Sequence, residues 1–485
     1  MNMYRQLLPF GHAFGQRYEL PIPLLLFVLG GAGIVLISFL IVLQRKVKVA
    51  PTQEYSDITH LPQFSRLWAV ISLVSLLIFV LTGLYGSQEV AENIVPTLFW
   101  LVVWIAAPLA CAVVGDFTRQ LNPFLQIARI FDSPNLRRWL IARVEPMAWP
   151  VWLSWWPAVA LFFVLATGEL IFNQTATLPV VTAVGAVIYA VISAVMGLLY
   201  GNQWAIKGEV FSVLFSTWGR LGWFRFGNTG TSGLAGGLAH EPFEPAISRI
   251  IFVVLLLVNV GLDGLLSTPF WSKFAYGLPA AISFGTTGYR LFATVVFAAL
   301  AVIFVALLYL FARAVAYAGA YSSKQPRVVL AGLLSSLLPI SFGYLLAHNI
   351  QYLLVNGQLL FPLIGNPIGS KNWPLHFAYP FNDSFDPNLQ VLPSSFYWYL
   401  SVIIIIAVHI MAVVLAHRHL GSKATSKEHA RRSEYPWVFA MITYTMLSLW
   451  LLAQPLVKDA STATVQKLLY SGSVAMVETG RRYIH

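Results

Sequence analysis

The chain has 485 residues, of which 58% are apolar and only 10% charged, with a mean hydropathy of +0.72. A soluble domain carries about a quarter charged residues, so this composition excludes a soluble enzyme and predicts an all-α, polytopic transmembrane helix bundle with the lipid bilayer as its main partner. Thirty Lys and Arg against nineteen Asp and Glu leave a net charge of +11, but the cations lie between apolar runs and build no nucleic-acid motif, which argues against nucleic acid as a partner.

Ten apolar runs of about 20 residues, the length that crosses hydrocarbon, lie near 21–43, 67–86, 96–115, 150–172, 178–201, 247–266, 291–312, 328–353, 396–416 and 436–456. The first is too long for a signal-peptide core and ends in Gln44, Arg45, Lys46 and Lys48, so it reads as a retained span. Residues 1–456 form one transmembrane domain, and 457–485 form a tail. Placing the N-terminus outside puts 21 of the 30 cations in cytoplasmic loops. The positive-inside rule then predicts a multi-pass protein of the cell (inner) membrane with both termini outside. That count includes Arg66 and Arg249 at span ends; clusters such as Arg137, Arg138 and Arg143, or Lys423, Lys427, Arg431 and Arg432, read as topology anchors, with anionic-lipid binding as the alternative.

Three connections are long enough to hold structure. Stretch 116–149 breaks at Asn122-Pro123 and continues into an amphipathic piece with Trp139 that suits the interface. Stretch 202–246 opens with an expected interfacial helix, Trp204 to Trp218, and runs into the glycine-rich 227–233. That run lacks Gly-Lys-Ser/Thr and a preceding strand, so it reads as a linker and predicts no nucleotide. The outer connection 356–395 contains Pro362, Pro367, Pro374, Pro380, Pro387 and Pro393. It is expected to be neither helix nor central strand, and to serve as a lid or as a docking surface for a protein partner.

Ionisable groups inside hydrocarbon are costly, and the few present are the first place to look for chemistry. At about 1.5 Å per residue, Glu169, Asp263 and His348 fall on three different spans in one thin layer under the outer surface, with Tyr344, Asn349 and Gln351 flanking His348. Two carboxylates and an imidazole suffice to hold a divalent metal or to act as general acid and base. His12, Arg17 and Glu19 precede the first span on the same side, and His376 lies in the long outer loop. The alternative reading is that residues near span ends snorkel to water.

His409 lies on the order of 20 Å below the outer surface and His348 on the order of 7 Å, too far apart to ligate one iron or one metal. His409 is expected to hydrogen-bond a neighbouring helix, while His417 and His419 read as ordinary cytoplasmic-end residues. The paired histidines at matched depth that a two-haem cytochrome b requires are not found in the sequence. The single cysteine, Cys111, has no CxxC or His neighbour, which excludes an intrachain disulfide and an iron–sulfur cluster built by this chain. Sixteen Trp and thirty-three Phe read mainly as lipid-facing bulk and interfacial belts.

Several segments together carry a resemblance: His12-Ala-Phe-Gly-Gln-Arg-Tyr-Glu-Leu-Pro-Ile-Pro before span one, Gly115-Asp116 before Leu121-Asn122-Pro123, and Trp204 before Gly208-Glu209-Val210-Phe211. They continue with Asp263-Gly264 and Thr268-Pro269-Phe270-Trp271, Tyr344-Leu-Leu-Ala-His348, His409 through Ala416-His417, and Leu449-Trp450-Leu-Leu-Ala-Gln454-Pro455. The series resembles a bacterial family of polytopic membrane proteins named fenitrothion hydrolase, over nearly the whole chain to about residue 456. The resemblance implies hydrolysis of organophosphate triesters with release of a nitrophenol. In relatives the His12-like residue follows a cleaved signal, which would let it chelate metal through its own amine; here Ala13 replaces the usual Gly.

Two readings follow. In the first, a membrane-embedded hydrolase takes a small apolar triester from the outer leaflet. Asp263 and His348 act as ligand or base, Glu169 as a second ligand with His12 as a further metal ligand, and Tyr344 or Asn349 as donor to the phosphoryl oxygen. In the second, the chain is a non-enzymatic membrane subunit, either a permease or a scaffold for a metal or redox partner. A carrier needs a polar path across the membrane, and the sequence offers only His409 and Asn259 below the outer layer.

Overall fold

The computed structural model describes residues 24–43, 64–224, 226, 243–321, 325–423 and 426–453. Among them there are helices and no β-strand. Ten helices coincide with the ten apolar runs: α1 (Leu24–Leu43), α2 (Arg66–Tyr85), α3 (Ile94–Val114), α6 (Trp156–Leu170), α7 (Pro179–Tyr200), α9 (Ile247–Leu266), α11 (Thr287–Ala318), α12 (Pro326–Asn356), α14 (Ser394–Lys423) and α15 (Lys427–Ala453). Between them lie the shorter α4 (Pro123–Phe131), α5 (Pro134–Ile141), α8 (Val210–Gly219), α10 (Pro269–Tyr276) and α13 (Leu360–Gly365). Among the described residues eight helices are long and apolar enough to cross a membrane; α1, with its apolar stretch Leu25–Ile41, and α6 and α8 are shorter. The fourth expected span, 150–172, is helical only from Trp156, because Pro150 and Pro157 bracket a turn in which Ser154 adopts a positive φ of 38°.

The outer helices keep apolar faces exposed, as at Leu67, Val70, Leu77 and Ile78 of α2, which is the pattern of a lipid-facing surface. The core is α12, whose residues from Val329 through Ser341 are all buried. Its closest neighbour is α14, and two glycines fix their antiparallel register. A side chain at Gly343 would strike Val408, and one at Gly332 would strike His419. The spacing is eleven residues on both helices, so the same register holds along the whole seam.

The segment expected to lie along the interface, Trp204 to Trp218, is instead inside the bundle: Val210 through Trp218 are all buried. The physical reason is its sequence, VFSVLFSTW, which is apolar or small on every face and has no polar side to offer the interface. Glu209 makes this insertion possible. It caps α8 by accepting from the Phe211 and Ser212 amides at 3.1 and 2.7 Å, and its carboxylate also accepts from Ser212 Oγ at 2.5 Å, Tyr189 Oη at 2.8 Å and Asn122 Nδ2 at 2.7 Å. Asn122 in turn caps α4, so two of the segments that carry the family resemblance meet at one hydrogen bond. By contrast α5 does present Trp139 and Leu140 outward beside Arg138, as an interfacial helix should.

Two arginines of the cytoplasmic-side count, one of them read as a topology anchor, are structural. Arg137 is buried and donates to the Leu198 and Val144 carbonyls, each at 2.7 Å, and to the Asp132 carboxylate. Arg249 is buried over the Trp155 ring at 4.2 Å and donates to Thr217 Oγ1 at 2.9 Å. The connection 356–395 contains the short α13, with Pro362 in its first turn where a missing N–H costs nothing. Its following segment is tied to the α2–α3 connection by Ser87 N to Ile368 O at 2.8 Å and Ile94 N to Pro367 O at 3.1 Å.

Candidate functional site

Helices α6, α9 and α12 finish, and α3 begins, at the same end of the bundle. Glu169 sits one residue before the end of α6, Asp263 three before the end of α9, and His348 eight before the end of α12. All three line one cavity of about 60 Å³. His348 Nε2 lies 2.5 Å from Asp263 Oδ2, with both side chains largely buried. Glu169 Oε2 accepts from the Trp104 indole N–H at 2.5 Å, and the Trp104 ring stacks on Phe162 with centroids 5.3 Å apart. Trp100, Ile105, Leu170 and Tyr352 supply apolar wall, while Asn173, Thr177 and Asn349 add amides and a hydroxyl.

The other sequence-predicted residues fall elsewhere. Tyr344, one turn before His348, does not line the cavity; its hydroxyl donates to the Ser448 carbonyl at 2.9 Å. His409 is fully buried away from the cavity, and its Nδ1 meets the Ile405 carbonyl of its own helix at 2.7 Å rather than a neighbouring helix. His417 is not a surface residue: its Nδ1 lies 2.9 Å from the buried Glu434 carboxylate on α15. His376 is in the outer connection, none of whose residues lines the cavity. His12, Arg17 and Glu19 lie outside the described residues, as do the glycine run 227–233 and the tail.

The layer therefore contains a tight acid–imidazole pair plus a separately held carboxylate. Among the described residues no group of three or more His, Cys, Asp or Glu is placed to hold a metal ion, so Glu169, Asp263 and His348 share a cavity without closing into a ligand set. A carboxylate on one ring nitrogen fixes the tautomer of an imidazole and stabilises its protonated form, which is the arrangement of a general base. The volume suits a few waters and is well below the roughly 300 Å³ at which drug-sized ligand pockets begin.

Sequence reading missed Trp104 and Tyr352. The available signal was spacing: Trp100 and Trp104 are one turn apart and so share a face of α3, and Tyr352 is one turn beyond His348. Two buried carboxylates were also passed over, Glu209 and Glu434, because both sit just outside apolar runs in sequence. No family model, curated protein or solved structure matches this chain.

Proposed function

We propose that the chain is a membrane-embedded hydrolase in which the His348–Asp263 pair activates a water held in the cavity, acting on organophosphate triesters. The observation that carries this reading is the 2.5 Å contact between His348 Nε2 and Asp263 Oδ2 at a cavity wall. The substrate class rests on the resemblance to fenitrothion hydrolase. The imidazole takes a proton from water through its other nitrogen while the water oxygen attacks phosphorus. The P–O bond to the aryl group then breaks, and the aryloxide takes up a proton to leave as the phenol. Asp263 stabilises the imidazolium formed in the first step. A cavity of about 60 Å³ accommodates the nucleophile, with the apolar ester approaching from its open side between aromatic walls. The cation distribution supports an inner-membrane orientation with the cavity facing outward, so that a small apolar ester arrives from the outer leaflet.

The test is nitrophenol release by the purified full chain in mild detergent. No turnover by wild type defeats the enzyme reading. A second reading, a membrane permease, is favoured by one observation: buried polar groups continue from Tyr344 and Ser448 down to His417 and Glu434 at the opposite end of the same helices. The long loop remains in that reading a docking surface for a membrane or outer-face protein.

A further inference from the structure

The register of α12 on α14 places a set of polar side chains at successive levels of one seam. At the end far from the cavity, His417 Nδ1 and Glu434 Oε2 are 2.9 Å apart and buried. Two further titratable groups on this seam are Tyr321, whose hydroxyl reaches Ser433 Oγ at 3.3 Å, and His419, packed against Gly332. On α15, Trp437 donates to Ser336 Oγ of α12 at 3.2 Å. Further along, the His409 ring lies 6.2 Å from the Tyr444 ring, centroid to centroid. Tyr444 and Ser448 are one turn apart and share a face of α15, and Ser448 O accepts from Tyr344. Tyr344 lies one helical turn below the cavity wall.

The chemistry of His409 is the informative point. A carbonyl only accepts, so the 2.7 Å contact with Ile405 O puts the proton on Nδ1 and leaves Nε2 as a lone-pair acceptor. That Nε2 is fully buried and has no protein partner among the described residues. The same is true of the Ser341 hydroxyl, which the Gly343–Val408 register brings level with His409, and of the Ser335 hydroxyl, level with His417. Buried polar atoms of this kind are met by internal water, and an ionisable side chain deep in a span is costly unless it works.

We propose that the seam between α12, α14 and α15 conducts protons between the His417–Glu434 pair and Tyr344, with His409 as the midway protonation station. A proton reaches Nε2 of His409, giving an imidazolium that keeps Nδ1–H on the Ile405 carbonyl. The same proton leaves from Nε2 toward Tyr444 and Ser448, so no net bond is made or broken in the protein. The eight residues from His417 to His409 span about 12 Å, a distance that a short file of waters beside Ser335, Ser336 and Ser341 bridges. This inference is independent of the hydrolase reading.

The experiment is proton flux into liposomes containing the purified full chain and an entrapped pH dye, driven by a potassium diffusion potential with valinomycin. Wild type is expected to acidify the lumen faster than protein-free vesicles. His409→Gln, which retains an amide donor for Ile405 O but does not titrate, is expected to lose the protein-dependent rate by about tenfold or more. Glu434→Gln should lose it several-fold, and Lys273→Gln on α10, away from the seam, should match wild type. Should His409→Gln fail to reconstitute, Glu434→Gln decides the matter alone. Flux by wild type equal to that of protein-free vesicles overturns the proposal, as does wild-type flux in His409→Gln and Glu434→Gln. Nitrophenol release in detergent is read separately, and its presence or absence leaves the flux result standing.

Discussion

The Trp104 indole N–H donates to Glu169 Oε2 at 2.5 Å, joining the middle of α3 to the end of α6 just behind the cavity wall that Glu169 lines. A hydrogen bond to a charged acceptor is worth about 1.5–3 kcal/mol, and the Trp104 ring also packs on Phe162. Trp104→Phe keeps most of the ring packing and deletes the donor. We expect it to lower the unfolding temperature in detergent, by an amount corresponding to about 1–3 kcal/mol, while Glu169→Gln, whose amide oxygen still accepts from the indole, loses less. An equal effect of the two substitutions would mean that the charge, not the donor, matters.

If the proposed hydrolase function is correct, Asp263→Asn should abolish phosphotriester cleavage with the fold intact, because it removes a charge with almost no change in volume. His348→Gln should do the same. The loss expected for deleting a general base is about 10²–10⁴-fold in kcat. Nitrophenol release by wild type and both variants is the measurement, with thermal unfolding as the control for folding. Turnover of Asp263→Asn equal to wild type discards this pair as the site.

In the same assay His409→Gln should retain turnover. It lies outside the cavity and is bonded to its own helix. A parallel collapse of hydrolysis and stability in this variant would show that its role is packing.

Glu209 receives five donated hydrogen bonds from Asn122, Tyr189, Phe211 and Ser212. Glu209→Gln turns one acceptor oxygen into a donor facing other donors. We expect destabilisation of about 3–5 kcal/mol, the range for breaking a buried charged network, read as loss of folded protein on size-exclusion chromatography. Unchanged yield and unfolding temperature would refute the capping argument.

Reporter fusions after residues 48, 144 and 425 should all read cytoplasmic. The reason is the concentration of 21 of 30 cations in the connections that follow alternate spans. One periplasmic signal among the three reverses the assignment.

The positions of the eight span-length helices, and of the shorter α1 and α6, were legible because a hydrocarbon span is a length and a composition, and both are written locally in the chain. Depth was legible too: counting 1.5 Å per residue brought Glu169, Asp263 and His348 to one layer. Rotation about each helix was not, which is why Tyr344, one turn from His348, was grouped with the cavity and turns out to face Ser448 instead. Arg137, Glu209 and Glu434 were misread or passed over for a related reason. A charge beside an apolar run looks solvated until the partner that buries it arrives from 17 to 87 residues away. Sequence also gave no hint of the polar seam, since Ser336, Tyr444 and Ser448 are unremarkable one at a time and acquire meaning only from the register that Gly332 and Gly343 impose.

The insertion of α8 has a bearing on how the protein is made. At ten residues it is about 15 Å long, half the thickness of the hydrocarbon core, so the translocation machinery has no reason to release it sideways into lipid as it emerges. Its apolar surface must wait at the membrane face until Asn122 and Tyr189, both synthesised earlier, stand ready to receive Glu209. Biogenesis thus acquires an order: the helices up to α7 assemble first and α8 is drawn in afterwards. A chain truncated near residue 205 and released from the ribosome should already hold α4 against α7, whereas nascent chains in which α8 has just left the ribosome should pass through a stage in which this short segment is open to chaperones and proteases.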